Sequence, residues 1–384
     1  MRKRKWTILL LLLCLLASGC GQSAREQTGE QETLCADIAQ TRESCTGDGS
    51  FLDAGDLNAE QQRLLLQYEN SYFTAIGSLQ IPEEESLFAN EEIARWEKAV
   101  WSSEIAVRQS AVEDLSLSAY SFTLEVTGSS AVEDGLQVSV TENNTQQFRG
   151  LEQLSEQYGV SHVFRLVQGD DGAWKIAGHT CDTGAFYHIG YDSETGTDEQ
   201  LELVLENVRL RQEELEEEPV FRELSADHPY DRQAALAYMQ QWVGRRNPQW
   251  SAYDASGGNC MNFASQVLYA GGIPMTDAWY WDGDVSYAWC NVDGFTEYTR
   301  IAEDYGLVCD AQAGYYSGQV GDLILMGIEN AGNHATEICG LVTDASGRTI
   351  DYLLCSNTAD LRNFPAGAYY YTNQRLVRIF GWND

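Results

Sequence analysis

The sequence predicts an α+β protein built from two regions with different rhythms, and three observations carry that reading. Residues 58–75 and 90–112 place apolar side chains at helical spacing: Leu64, Leu65 and Tyr68, then Ile93, Trp96, Val100 and Ile105. Strand-like alternation follows in 121–127, 136–142 and 161–167. Past residue 228 helices and strands return in a new order, around the run Gly257-Gly258-Asn259-Cys260-Met261-Asn262-Phe263-Ala264-Ser265-Gln266.

The first twenty residues read as a targeting segment. Arg2, Lys3, Arg4 and Lys5 precede an apolar stretch from Trp6 to Leu16, and Ala17-Ser18-Gly19 leads into Cys20. This resembles the lipobox of bacterial lipoproteins, which implies that Cys20 carries lipid and opens the mature chain. The apolar stretch is too short for a dependable transmembrane helix. The expected location is the extracytoplasmic face of the cell membrane, or the medium if Cys20 is not lipidated. Residues 21–57 are polar and read as a flexible tether, with Cys35 and Cys45 able to clip a small loop.

Composition narrows the partners. The net charge of the 384-residue chain is −34, and removing the four basic residues of the leader leaves about −38. Such an acidic body repels nucleic acid, so none is expected as a partner. Ten cysteines are present. Setting aside Cys14, Cys20 and Cys260 leaves Cys35, Cys45, Cys181, Cys290, Cys309, Cys339 and Cys355, an odd set in an oxidising space. There is no Cys-x-x-Cys pair, phosphate-binding glycine loop or complete calcium loop, so neither metal nor cofactor is expected.

Residues 58–196 are expected to form an accessory domain of helices followed by a curved antiparallel sheet. Asp170-Asp171-Gly172 supplies a hairpin turn, and 173–177 the returning strand. The order is similar to NTF2-like and cystatin-like domains, which implies a binding or dimerisation module. His162, His179 and His188, close to Cys181, offer a conceivable metal site but read as structural or solvated. Residues 197–227 read as an acidic helical connector with one apolar stripe (Leu201, Val204, Val208, Leu215) and solvated glutamates, ended by Pro219.

Residues 228–384 carry the chemistry. Tyr230-Asp231-Arg232 opens a helix and Arg245-Arg246-Asn247-Pro248 breaks it. Two glycines then precede Cys260, which heads a helix closed by Ala270-Gly271-Gly272-Ile273-Pro274-Met275. A cysteine in a first helical turn meets unpaired N–H groups and the positive end of the macrodipole, both of which favour a thiolate. Cys260 therefore reads either as a nucleophile or as a small buried residue at a helix start. The aromatics Trp279, Tyr280, Trp281 and Trp289 read as core, with the wall of a substrate groove as the alternative. A helix is expected over 292–305, a turn at Gly321-Asp322 entering a strand, and further strands over 334–342 and 350–355.

Tyr-Asp-Arg, Arg-Asn-Pro, Cys-x-Asn-Phe-x-Ser-Gln, Ala-Gly-Gly-Ile-Pro-Met, Gly-Asp and a strand-opening histidine, in that order, resemble the putative amidase domain family. That family is similar to papain-like and NlpC/P60-type cysteine hydrolases. The resemblance implies a papain-like α+β fold with the nucleophile at a helix N-terminus. It implies Cys260 as nucleophile and His334 as general base. Asn357 is expected to orient the imidazole, with Asp360 in reserve. Three positions depart from the family pattern: Asn259 stands for Asp, Met261 for Thr, and Asn357 for His. The implied activity is cleavage of an amide or peptide bond by a lipid-anchored, extracytoplasmic cysteine hydrolase. A peptide or amide of cell-wall origin suits that location as substrate. The rival reading is a catalytically degenerate binding or scaffold lipoprotein; acyl transfer would use the same residues as hydrolysis.

Overall fold

The computed structural model describes residues 45–384 apart from 83–85, 190–195, 218–219, 257, 303–305, 329–330 and 372. The expected leader, Cys20 and most of the expected tether therefore lie outside the described residues. The described residues begin inside that expected tether, where β1 (Thr46–Asp53) pairs in parallel with β2 (Leu117–Val132).

Two helices follow β1, close to where the apolar spacing places them. Helix α1 (Ala59–Ser78) starts at Asn58, whose side chain accepts from the N–H groups of Glu60 and Gln61, while Gln61 reaches back to the Asn58 N–H. This reciprocal cap satisfies orphan donors locally, which is why the start is legible. Helix α2 (Glu91–Gln109) starts at Asn90, whose side chain accepts from the N–H groups of Glu92 and Ile93 without a reciprocal bond among the described residues. Strands β2, β3 (Gly135–Phe148), β4 (Ser155–Gln168) and β5 (Trp174–Cys181) then form an antiparallel meander. Gly172, at a φ of 77°, makes the β4–β5 turn. After the short α3 (Gly184–His188) comes α4 (Gly196–Leu215), the expected acidic helix.

The remaining elements are β6 (His228–Pro229), α5 (Arg232–Trp242), α6 (Cys260–Ala270), α7 (Tyr287–Cys290), α8 (Val292–Ile301), β7 (Gly306–Asp310), β8 (Leu323–Ile328), β9 (Ala331–Thr343), β10 (Thr349–Ser356), β11 (Asp360–Pro365) and β12 (Asn373–Asn383). The strands join in one mixed sheet of order β1-β2-β3-β4-β11-β10-β9-β8-β12-β6, with β5 on β4 and β7 on β12. The fold class is thus α+β, and residues 45–384 make one compact unit. The seam is the β4–β11 pairing, Asp360 opposite Tyr158 through Arg362 opposite Glu156, reinforced by an Arg362–Glu156 ion pair of 2.9 Å.

The strands beyond the seam are buried on both faces. Leu323, Leu325, Ala335, Cys355, Val377 and Ile379 pack with α5, α6 and α8, while Ile324, Met326, Ile338, Tyr352, Leu354 and Leu376 belong to the core shared with α1, α2 and β2–β4. Two-sided burial explains the unbroken apolar run Leu323-Ile324-Leu325-Met326. Helix α4 contributes to this cover: Val204 and Val208 are buried, and Glu214 accepts the backbone N–H of Tyr315 at 2.8 Å.

The separate motif pieces meet here. Asp231 caps α5 through the N–H groups of Gln233 and Ala234. Arg232 pairs at 2.8 Å with the fully buried Asp322 of the Gly-Asp turn, which also accepts the N–H groups of Gln319 and Ile379. Removing one partner of a buried pair leaves the other charge uncompensated. Arg232→Met is expected to cost about 3 kcal/mol in urea unfolding, whereas Arg362→Met at the half-exposed seam pair should cost about 1 kcal/mol or less. Equal losses would show that Asp322 is solvated after all.

Candidate active site

Helix α6 begins where the chain before it cannot be helical. Gly258 holds a φ of 120°, and Thr358 stands 3.2 Å from the place a Cβ would occupy. Asn259 is the N-cap residue without a side-chain cap bond of its own. Its side-chain oxygen accepts from the Tyr253 N–H and from Asn262 Nδ2, and its backbone N–H donates to Thr358 Oγ1 at 2.5 Å. The Asn259 side-chain oxygen thus ties the loop at Tyr253 to the helix start, a contact that an aspartate oxygen would make equally.

The other polar residues of the helix motif are buried and satisfied. Asn262 donates to Ser251 O and accepts from Trp289 Nε1 at 2.8 Å. Ser265 donates to Trp289 O and accepts from Trp279 Nε1. Gln266 accepts from Tyr238, whose hydroxyl also accepts from Asn247 of the Arg-Asn-Pro turn. Trp279 and Trp289 are fully buried, so these two aromatics are core and anchor the helix.

Cys260 is 8 % exposed and His334 3 % exposed. His334 lies on β9 beside Ala335, whose backbone N–H favours the thiolate form of Cys260. The imidazole Nε2 is 3.0 Å from the Tyr369 hydroxyl and 3.4 Å from Ser356 Oγ. The Tyr371 ring stacks on it at 5.6 Å and 14°, and His188 meets Tyr371 edge-on at 4.6 Å. Among the described residues no hydrogen bond joins Cys260 Sγ to His334. The two are neighbours through Ala335 and through Tyr371, whose hydroxyl is pushed up first by burial and then by the charge Cys260 would carry.

Asn357 is brought close in sequence but not in contact. Its Nδ2 donates to Arg245 O at 3.2 Å, and its buried Oδ1 has no hydrogen-bond partner among the described residues. Asp360 is held by Arg246, through Nη1 at 2.8 Å and Nη2 at 3.1 Å, and by the Thr358 N–H. The groups on the imidazole are Ser356 and Tyr369. Ser356 is adjacent to the expected residue; Tyr369 belongs to the run Tyr369-Tyr370-Tyr371, whose aromatic content gave no sign that it would fold over the histidine.

Electrostatics run against the expected thiolate. Burial pushes the Cys260 thiol up to about 11, and the N–H groups of Ala335 and Met261 draw it back only in part. Burial, then the neighbouring His188, lowers His334 to about 3. The fully buried Glu337 has neither carboxylate oxygen hydrogen-bonded among the described residues, and burial raises its carboxyl well above the usual range. At neutral pH the site holds a thiol and a neutral imidazole.

Residues 229–380 match the putative amidase domain family. The match covers the helix of Cys260, the strand of His334 and the Ser356–Asp360 corner. A stretch of 67 residues is 39 % identical to the uncharacterized protein YhbB of Bacillus subtilis (strain 168), covering 16 % of this chain and 21 % of that protein. The aligned stretch thus spans about a fifth of that relative's length.

The buried imidazole has a consequence for acid stability. Between pH 6.5 and about 3 the unfolded chain binds a proton at His334 and the native chain does not, so native stability falls as the pH drops through that window. The slope from this residue is up to about 1.4 kcal/mol per pH unit. Urea midpoints of the wild type should fall more steeply than those of His334→Gln from pH 6.5 to 4; parallel slopes would mean that the imidazole is solvated in the native state.

Proposed function

We propose that the region from 228 to 384 is a cysteine-type amide hydrolase, with Cys260 as nucleophile and His334 as general base. The observation that carries this reading is the thiol on the first residue of α6, whose thiolate the backbone N–H groups of Ala335 and Met261 favour, with His334 next in the chain to Ala335. Sγ attacks the carbonyl carbon while its proton passes to His334, and backbone N–H groups at the helix start stabilise the oxyanion. His334 then protonates the leaving amine, and water hydrolyses the thioester. Because sulfur is protonated and the imidazole neutral at rest, His334 acts as a base during attack and no preformed ion pair is required.

Tyr369 takes the positioning role first given to Asn357. With Nε2–H donated to the Tyr369 hydroxyl, Nδ1 keeps the lone pair a base needs. For location, the sequence from Arg2 to Cys20 supports a lipoprotein anchored through Cys20 on the extracytoplasmic face, where a peptide or amide derived from the cell wall is the fitting substrate. A binding lipoprotein with a silent site is the second reading. It is favoured by the burial of the thiol and by the lack of a Cys260–His334 hydrogen bond among the described residues.

Turnover of a panel of peptide amides and cell-wall peptides by the full chain separates the two. Wild type should hydrolyse at least one member, Cys260→Ala and His334→Ala should lose about a thousandfold or more, and Tyr369→Phe should lose about tenfold in kcat with a shifted pH profile. Iodoacetamide should inactivate in step with alkylation of Cys260. No turnover together with an inert Cys260 up to pH 9 would leave the binding reading. Release of Cys20→Ala protein into the medium would support the anchor.

A further inference from the structure

The region before residue 182 holds a second cluster of chemically competent side chains, remote in sequence from Cys260. Helix α1 and strands β3, β4 and β5 enclose a cavity of about 20 Å3 lined by Tyr68, Glu69, Glu142, Asn144, His162 and Cys181, among others. That volume is about one water or one ion. Glu69 comes from α1, Glu142 from β3 and His162 from β4, and they are 1 %, 3 % and 5 % exposed. Glu142 and His162 are diagonal neighbours across the ladder, since Val140 pairs with His162 and Glu142 with Val160. One donor atom from each of the three residues lies within 4.8 Å of the others.

Their free valences point to a missing ligand. Both carboxylate oxygens of Glu69, Oε2 of Glu142 and Nε2 of His162 are buried and have no hydrogen-bond partner among the described residues. Orphaned carboxylates at such depth are costly unless a cation or protons neutralise them. The surrounding groups are arranged as an outer shell. Asn144 Nδ2 donates to Glu142 Oε1 at 2.8 Å. His162 Nδ1 lies 3.0 Å from His179 Nε2, and His179 Nδ1 lies 3.1 Å from Glu97 Oε1. Glu97 also accepts the Tyr68 hydroxyl at 2.8 Å. With a proton on each Nδ1, donated toward Glu97, Nε2 of His162 keeps its lone pair; His162 Nδ1 also lies 3.7 Å from Glu69 Oε1. This carboxylate–histidine support is the arrangement that orients metal-ligating imidazoles.

We propose that Glu69, Glu142 and His162 bind one divalent transition-metal ion of the zinc or manganese class. The imidazole selects against calcium and magnesium, which take oxygen ligands, and two carboxylates neutralise a charge of +2. Burial of the site on every side suits a structural ion that staples α1 to the sheet. When empty, the site keeps itself neutral by protonation: burial holds the Glu69 carboxyl well above its usual range and pushes Glu142 up to about 7. Metal would displace those protons. The site is independent of the cysteine chemistry, and its donors come from three distant segments, so no spacing motif announces it.

The test uses the full chain, stripped with EDTA, then exposed to ZnCl2 or MnCl2 and desalted. Elemental analysis should find about one equivalent of one of these metals per chain, and the thermal midpoint should rise by about 5 °C or more. Glu69→Gln/Glu142→Gln, which is isosteric and removes the buried charge, should keep its far-UV circular dichroism but retain under about a tenth of an equivalent with no thermal response. His162→Gln should lose binding likewise, and Cys260→Ala should bind as wild type. Wild-type protein that retains neither ion and shows no thermal shift overturns the proposal, as does a double variant that binds as well as wild type.

Discussion

The corner between β10 and β11, Ser356-Asn357-Thr358-Ala359-Asp360, is the constraint on which the rest of this molecule depends. Thr358 and Ala359 sit at φ of 106° and 45°, conformations that cost on the order of 1–3 kcal/mol each for residues with a Cβ. The surroundings offset that strain. Ser356 faces the imidazole of His334 and hydrogen-bonds Thr358 O. Thr358 Oγ1 receives the N–H just before α6. Asp360 is clamped by Arg246, which also holds Asp254, and β11 starts there against β4. One short segment therefore sets the start of the cysteine helix, the place of the histidine and the seam of the sheet.

Because the seam makes one sheet of both regions, the strands that carry His334 and Ser356 are covered from two sides. This decides the electrostatics of the site. A helix N-terminus stabilises an anion by about 0.3–1 kcal/mol, up to about 2 in favourable geometry. Burial of a thiolate shifts its pKa by as much as several units, each worth about 1.4 kcal/mol. The larger effect wins, and the thiol of Cys260 ends near 11 in spite of its position. A substrate that carries polar groups into the site would change this balance, since desolvation of the thiolate is the term that opposes it.

The same covering turns the first region into more than an appendage. Helix α4, with its many glutamates, places Val204 and Val208 in the core and sets the Arg211 guanidinium over the Tyr315 ring at 5.2 Å. His188, grouped by sequence with His162 and His179, packs instead on Tyr371 beside His334. His162 and His179 instead meet Glu69, Glu97 and Glu142. Polar residues of the first region thereby line two places in the core, one beside Tyr371 and one among Glu69, Glu97 and Glu142.

The sequence by itself determined what local forces govern. Asn58 and Asn90 cap helices where the apolar spacing begins, Gly172 turns a hairpin, Gly258 and Gly272 bracket the helix of Cys260, and Gly321-Asp322 opens β8. Each rests on backbone geometry or hydrogen bonds spanning a few residues, and so is written in neighbouring letters. Tertiary structure alone decided that Ser356 and Tyr369, and not Asn357, touch the imidazole. It also decided that β4 pairs with β11, and that Glu69, Glu142 and His162 converge. These contacts join segments far apart in the chain, and their geometry depends on which face of a strand is buried and against what, a quantity that no local pattern encodes.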